Sequence, residues 1–156
     1  APDEIAVILA HELGHQVHRD LWRLILASTA QVTLTTWLAQ RLAERATRRY
    51  GRQLGLGRLG QPAALPLIAW LAALAGLILA PAVSAFSRRI ERQADRFALE
   101  LTGDASAFIR AMQLLAVQNL SDPDPPRLER WLFGSHPSIA ERVAAARQFA
   151  RQRRTP

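Results

Sequence analysis

Apolar residues recur at helical spacing from the first turn of the chain. Pro2, Asp3 and Glu4 read as a helix start, with proline early and acids in the first turn. That helix is expected to run to about Asp20. Residues 24–40 then carry no charge, but Ser28, Thr29, Gln31, Thr33, Thr35, Thr36 and Gln40 make the stretch half polar. Trp22, Arg23, Trp37 and Arg41 flank its ends as interfacial anchors would. Residues 41–60 form a basic helix end and a glycine-rich turn. Residues 59–87 again lack any charge, and their core of Leu, Ala, Ile, Val and Trp70 could cross the roughly 30 Å of a bilayer interior. Pro66 and Pro81 are tolerable near the ends of such a span. The two uncharged segments are expected to form a transmembrane helical hairpin.

The polar pattern resumes with Arg88, and Glu91 and Asp95 share a helix face at i,i+4. Gly103 suits a helix C-cap and Asp104 the next N-cap. Residues 105–120 read as an amphipathic helix, with Phe108, Met112, Leu115 and Val117 mostly in the core. Residues 121–126 break it, residues 131–137 read as a loop, and Pro137 opens a last helix to about Gln152. No β pattern stands out. The expected fold class is all-α.

Composition changes this picture only a little. A chain of 156 residues is one domain by length. It has no cysteine, which excludes a disulfide framework and a thiolate site. All 20 basic residues are Arg, and the net charge is +7. That charge raises nucleic-acid binding as a class, but Arg48-Arg49 and residues 151–154 are short clusters without interleaved aromatic residues. A solvated or lipid-headgroup-facing role suits them better, so no nucleic-acid partner is expected. The Arg, Ala and Leu bias fits a bacterial genome rich in G and C. The chain reads as a piece of a longer protein.

The chemistry gathers at His11-Glu12-Leu13-Gly14-His15. Residues four apart lie on one helix face, so His11 and His15 can present imidazoles to one metal. Glu12 lies about 100° round from His11, suited to a water activated by that metal and not to ligation. Two neutral imidazoles and a nearby carboxylate suit zinc and a general base. His18 sits about 10 Å along the axis from His11, too far to join the same ion, and reads as a polar supporting residue. A catalytic zinc needs a third protein ligand. Asp3, Glu4 and Asp20 read as badly directed on the first helix. Glu91 is the best candidate, because Asp95 one turn on could accept the free N–H of a ligating histidine. Without the histidine pair, an ion-paired face among Arg88, Arg89, Arg92 and Arg96 would be the better reading of Glu91 and Asp95.

With two uncharged segments, then Ser87-Arg88-Arg89-Ile90-Glu91-Arg92-Gln93-Ala94-Asp95, then Ser135-His136-Pro137-Ser138 and Glu141-Arg142, the chain resembles a known family. It is similar, over nearly its whole length, to the catalytic C-terminal half of the membrane zinc metallopeptidases that include the CAAX prenyl proteases and the HtpX heat-shock proteases. The resemblance implies a gluzincin-like helical peptidase, with the hairpin between the zinc-ligand helices. It implies one zinc ion on His11, His15 and Glu91, with Glu12 catalytic and Asp95 supporting. It places His136 and Arg142 near the substrate carbonyl, although on sequence alone His136 reads as a helix-start histidine. It implies protein or peptide substrates, membrane-associated or misfolded, and a multi-pass place among membrane lipid, in bacteria the cell membrane. Residues 11–21 also resemble the β-lactam-sensing antirepressor peptidases, but the Glu91–Asp95 and His136-Pro137 motifs favour the first family. A catalytically idle membrane scaffold is the alternative class. Intact His11, Glu12, His15 and Glu91 argue against it.

Overall fold

A computed structural model describes residues 1–118, 122 and 124–153. Every regular element among them is helical. Helix α1 spans Pro2–Val17, α2 Asp20–Tyr50, α3 Leu65–Thr102, α4 Ala105–Gln118, α5 Arg127–Phe133 and α6 Ile139–Gln152. A short 3-10 turn at Pro62–Ala64 leads into α3.

The first helix ends earlier than its sequence suggests. His18 Nδ1 donates to the Gly14 carbonyl at 2.7 Å, and the His18 N–H bonds the same oxygen at 3.0 Å. Arg19 follows with φ +55°, a left-handed conformation that most residues avoid. The chain turns there, and Asp20 opens α2 instead of closing α1.

The chain divides into two compact units, Ala1–Leu24 with Ser84–Pro156, and Ile25–Val83. In the first, α4 packs on both α1 and α6. Its core joins Val7 and Ala10 of α1, Ala98 and Leu99 of α3, Phe108, Ala111 and Met112 of α4, and Val143 and Ala146 of α6. Phe108 is fully buried. Val117 does not share that core and is 72% exposed. Nine residues from Phe108 is about half a rotation beyond two turns, so it faces the other way. Asn119 and Leu120, expected to complete this helix, lie outside the described residues. Gly103 takes φ +65° at the end of α3, and the Asp104 carboxylate caps α4 by accepting from the Ala107 N–H at 2.8 Å. Trp131 belongs to α5, not to a loop, and the loop before α6 is correspondingly shorter. Ser138 caps α6, accepting from the Glu141 N–H at 3.2 Å.

A glycine sets a close approach in this unit. A methyl group on Gly14 would lie 3.2 Å from the Ala94 Cα and 3.2 Å from Phe97 Cδ1. Glycine at this position lets the backbones of α1 and α3 meet where the two carry their polar residues.

In the second unit, Ala39 and Ala43 of α2 pack against Leu71 of α3, with Leu42, Leu59 and Ile68 around them. Among the described residues one helix, Pro62–Thr102, is long and apolar enough to cross a membrane. Its outward side chains include Trp70 and Ile78, both more than 60% exposed.

Candidate metal centre

Helical spacing and the Gly14 contact together produce the site. His11 and His15 project from one face of α1, with ring centroids 4.7 Å apart and the rings nearly perpendicular. Their Nε2 atoms are 3.1 Å apart. Glu91 of α3 faces both, with Oε2 3.5 Å from His11 Nε2 and Oε1 3.7 Å from His15 Nε2. The ligand atoms of the three all lie within 4.8 Å of one another.

The outer ring nitrogens are also occupied. His15 Nδ1 lies 2.9 Å from Asp20 Oδ2. A carboxylate only accepts, so Nδ1 carries the proton and the Nε2 lone pair points inward. Arg23 donates to the other oxygen of Asp20 at 2.7 Å and to Gln93 Oε1 at 3.0 Å. His11 Nδ1 is buried 3.0 Å from Asp95 Oδ1, off the line of a well-directed hydrogen bond. Asp95 in turn accepts from Arg142 through both oxygens, one of these bonds measuring 2.8 Å. The Arg142 guanidinium lies over the Phe108 ring, 5.9 Å from its centroid, which ties this buried ion pair to the core.

These residues suit a metal ion. Ligands about 2.0–2.1 Å from a tetrahedral zinc sit about 3.3–3.4 Å from one another, close to the three separations seen. Two imidazole lone pairs and a carboxylate converging at such distances repel unless a cation or a proton lies among them. Without a metal, the proton goes to His11. Burial opposes its charge, but the Asp95 and Glu91 carboxylates outweigh that and raise it from 6.5 to about 9.

A cleft of about 730 Å³ opens over the triad. Glu12 lines it and is exposed, as are His136 and its neighbour Ser135. His136 Nε2 lies 3.4 Å from Glu91 Oε1, and its Nδ1 lies 2.8 Å from Ser135 Oγ. Arg142 also lines the cleft while bonded to Asp95. His18 stays off the triad, bonded to Gly14.

Three supporting residues escaped the sequence reading. Asp20 is one, because its place depends on the left-handed Arg19. Arg88 is the second. It sits one turn before Glu91 and donates to the Arg130 carbonyl at 2.8 Å and the Gly134 carbonyl at 2.6 Å. Ser84 is the third, donating to the Leu132 carbonyl at 3.2 Å. Helix α3 thus holds the C-terminal end of α5, just before the loop that carries His136. The sequence offered Arg88 only as one of several ion-pair candidates for Glu91 and Asp95, which gave no sign of this.

The described residues form an all-helical structure in which two histidines and one carboxylate are grouped closely enough to hold a metal ion. The chain belongs to peptidase family M48, whose model matches residues 1–150. It is 36% identical over 144 residues to the "Uncharacterized metalloprotease YhfN" of Bacillus subtilis, which covers 92% of this chain and 34% of that protein. It is 28% identical over 165 residues to the "Protease HtpX" of Chromohalobacter salexigens, covering 96% of this chain and 54% of the relative. A "Protease HtpX homolog" of Kineococcus radiotolerans is 30% identical over 170 residues, covering 97% and 56% respectively. The chain therefore spans between a third and little more than half of the relatives it matches.

Proposed function

We propose that this chain carries the catalytic centre of a zinc-dependent metalloendopeptidase that cleaves membrane-associated or misfolded proteins. The observation that carries the reading is the triad of His11, His15 and Glu91, with Asp20 and Asp95 at the outer nitrogens of the two rings. Two nitrogens and one carboxylate leave a position open for substrate or water, which is the donor set of a catalytic rather than a structural zinc site. The names of the relatives, protease and metalloprotease, point the same way.

Zinc held there would lower the pKa of a water and polarise the scissile carbonyl. The remaining work falls to side chains. Glu12 lines the cleft on the face next to the histidines and takes the proton of the attacking water, then gives it to the leaving amine. His136, across Glu91, donates to the oxyanion that develops on the carbonyl carbon's oxygen. Arg142 fixes Asp95, and through it the His11 ring, while presenting an edge to the cleft. Membrane residence is supported by the apolar stretch within Pro62–Thr102, whose exposed Trp70 and Ile78 suit lipid better than water. With α2 it forms the membrane hairpin of a multi-pass protein.

The test is metal analysis joined to a peptidase assay on the purified protein. One zinc per chain is expected in both the parent and Glu12→Gln, with hydrolysis in the parent only. Zinc without hydrolysis in the parent would mark a binding or scaffold role instead.

A further inference from the structure

The charge of residues 25–83 is one-sided. They hold six arginines, all within 41–58, and a single acid, Glu44. Glu44 accepts from Gln40 Nε2 at 3.1 Å and lies 3.9 Å from Arg41 Nη1. Among the described residues, none of Arg45, Arg48, Arg49 and Arg52 makes an ion pair, and all four are exposed. A helix C-terminus favours cations, which explains Arg48 and Arg49 in the last turn of α2 but not the others.

Geometry gathers these charges. Arg41, Arg45, Arg48 and Arg49 fall within about 100° of arc on α2, at about 100° per residue. Trp37 stands one turn before Arg41 on the same side, and the Arg41 guanidinium lies over its ring, 5.8 Å from the centroid. The other side of α2 carries Ala39 and Ala43, which cluster with Leu67 and Leu71 of α3. Nearer the start of α2, Gln31 and Leu34 line a groove with Leu79 and Val83 of α3. The two helices therefore run antiparallel, with Trp70 of α3 level with Arg41. Trp37 and Trp70 are both more than half exposed. After Tyr50 the chain bends back. The Gly51 N–H bonds the Thr47 carbonyl at 2.9 Å, the Leu56 N–H bonds the Gly51 carbonyl at 2.7 Å, and Leu56 is buried. Arg52 lies in that turn, next to the end of α2.

We propose that this arginine face binds the phosphates of anionic phospholipid headgroups, in preference to zwitterionic ones. The inference rests on the membrane reading above and names the lipid class that reading leaves open. The order along α2 is that of a bilayer edge: residues 25–40 without charge, an exposed indole near their end, then cations. A guanidinium meets phosphate oxygens through paired N–H donors. A choline headgroup would bring a second cation against the same arginines, whereas a glycerol headgroup brings none. Nucleic acid also offers phosphates, but a face that continues into uncharged helix with exposed indoles suits lipid better.

The experiment reconstitutes the protein in bilayers and follows spin-labelled phosphatidylglycerol and phosphatidylcholine by electron spin resonance. We expect phosphatidylglycerol to associate about 5-fold more strongly or better at low salt. The preference should shrink in about 1 M salt. Arg41→Gln, Arg45→Gln, Arg48→Gln and Arg49→Gln combined should abolish it, and the four Arg→Lys changes should keep most of it. Arg127→Gln with Arg147→Gln, outside residues 25–83, should leave it unchanged. Should the fourfold glutamine variant not fold, Arg45→Gln and Arg48→Gln alone replace it, each lowering the preference. Equal association of the two lipids with the parent, or a preference that survives these glutamine changes, overturns the inference. If the parent is not retained in bilayers, the membrane reading falls. The face is then judged by flotation with vesicles of either lipid. Binding to phosphatidylglycerol alone, lost on the glutamine changes, upholds it, and binding to neither or to both alike overturns it. Tighter binding to a short oligonucleotide than to phosphatidylglycerol vesicles, lost on the same changes, would make nucleic acid the occupant and overturn it as well.

Discussion

Asp20 Oδ2 lies 2.9 Å from His15 Nδ1, although the two residues stand on different helices. Arg19, at φ +55°, makes the turn that allows it. Asp20 is 1% exposed, and Arg23 satisfies its second oxygen. The carboxylate thus fixes both the tautomer and the tilt of His15, leaving Nε2 directed at the triad.

Removing that support should weaken metal binding without abolishing it. Asp20→Ala is expected to lower zinc affinity roughly 10- to 100-fold. Asp20→Asn keeps an oxygen acceptor and should fall less. Glu91→Ala removes a ligand and should fall further than either. Competition with a chromogenic chelator gives all three values. Parent-like affinity in Asp20→Ala would reduce the contact to a helix-start ion pair.

Gly14 controls the approach of α1 to α3. A Cβ there would press on the Ala94 backbone at 3.2 Å, tighter than ordinary contact, and backbone cannot swing aside as a side chain tip can. Gly14→Ala should therefore push His11 and His15 away from Glu91. A helical Gly→Ala change is otherwise stabilising by about 1 kcal/mol, so the sign is informative. We expect lower thermal stability together with weaker zinc binding. A variant more stable than the parent, with full affinity, would show that the helices have room to spare.

What the sequence made legible follows from local periodicity. His11, Glu12 and His15 stand out because i,i+4 spacing is a property of one helix, and Glu91 with Asp95 repeats the same logic on another. The uncharged run within α3 and the caps at Gly103 and Asp104 are local signals as well. Asp20, Arg88 and Gly14 act through other elements. Asp20 looked like the tail of α1 because no glycine or proline announces the turn at Arg19. Val117 was placed in the core by its apolar nature, yet its helical angle puts it opposite Phe108. Helix α5 is seven residues long, too short for an apolar period to emerge.

The metal site should also report on pH. In the metal-free protein His11 is raised to about 9 by Asp95 and Glu91, against the opposing effect of burial. The folded pKa lies above the unfolded value of 6.5, so this group's stabilisation is full below about 6.5 and is lost as pH rises through about 9. Zinc must displace the same proton. Zinc affinity should therefore rise with pH toward about 9, by up to tenfold per unit. Calorimetry in buffers of different ionisation heat should count at least about one proton released per zinc at pH 7.5, the His11 proton together with any from a zinc-bound water. No release would place the His11 pKa below the working pH.

The remaining prediction concerns His136. Its Nε2 is 3.4 Å from Glu91 Oε1, and its side chain is 61% exposed and lines the cleft, so it can meet a substrate there. Its position is fixed from behind, since Arg88 binds the carbonyls of Arg130 and Gly134 at the end of α5. A donor acting only on developing negative charge stabilises the transition state more than the bound substrate. His136→Ala should then lower kcat by roughly 100- to 1,000-fold with KM little changed. Zinc content should match the parent. Arg88→Ala should show the same pattern at smaller amplitude, because it loosens the loop and leaves the donor in place. Loss of zinc from His136→Ala would make His136 a ligand, and an unchanged kcat would return it to a helix-start residue before Pro137.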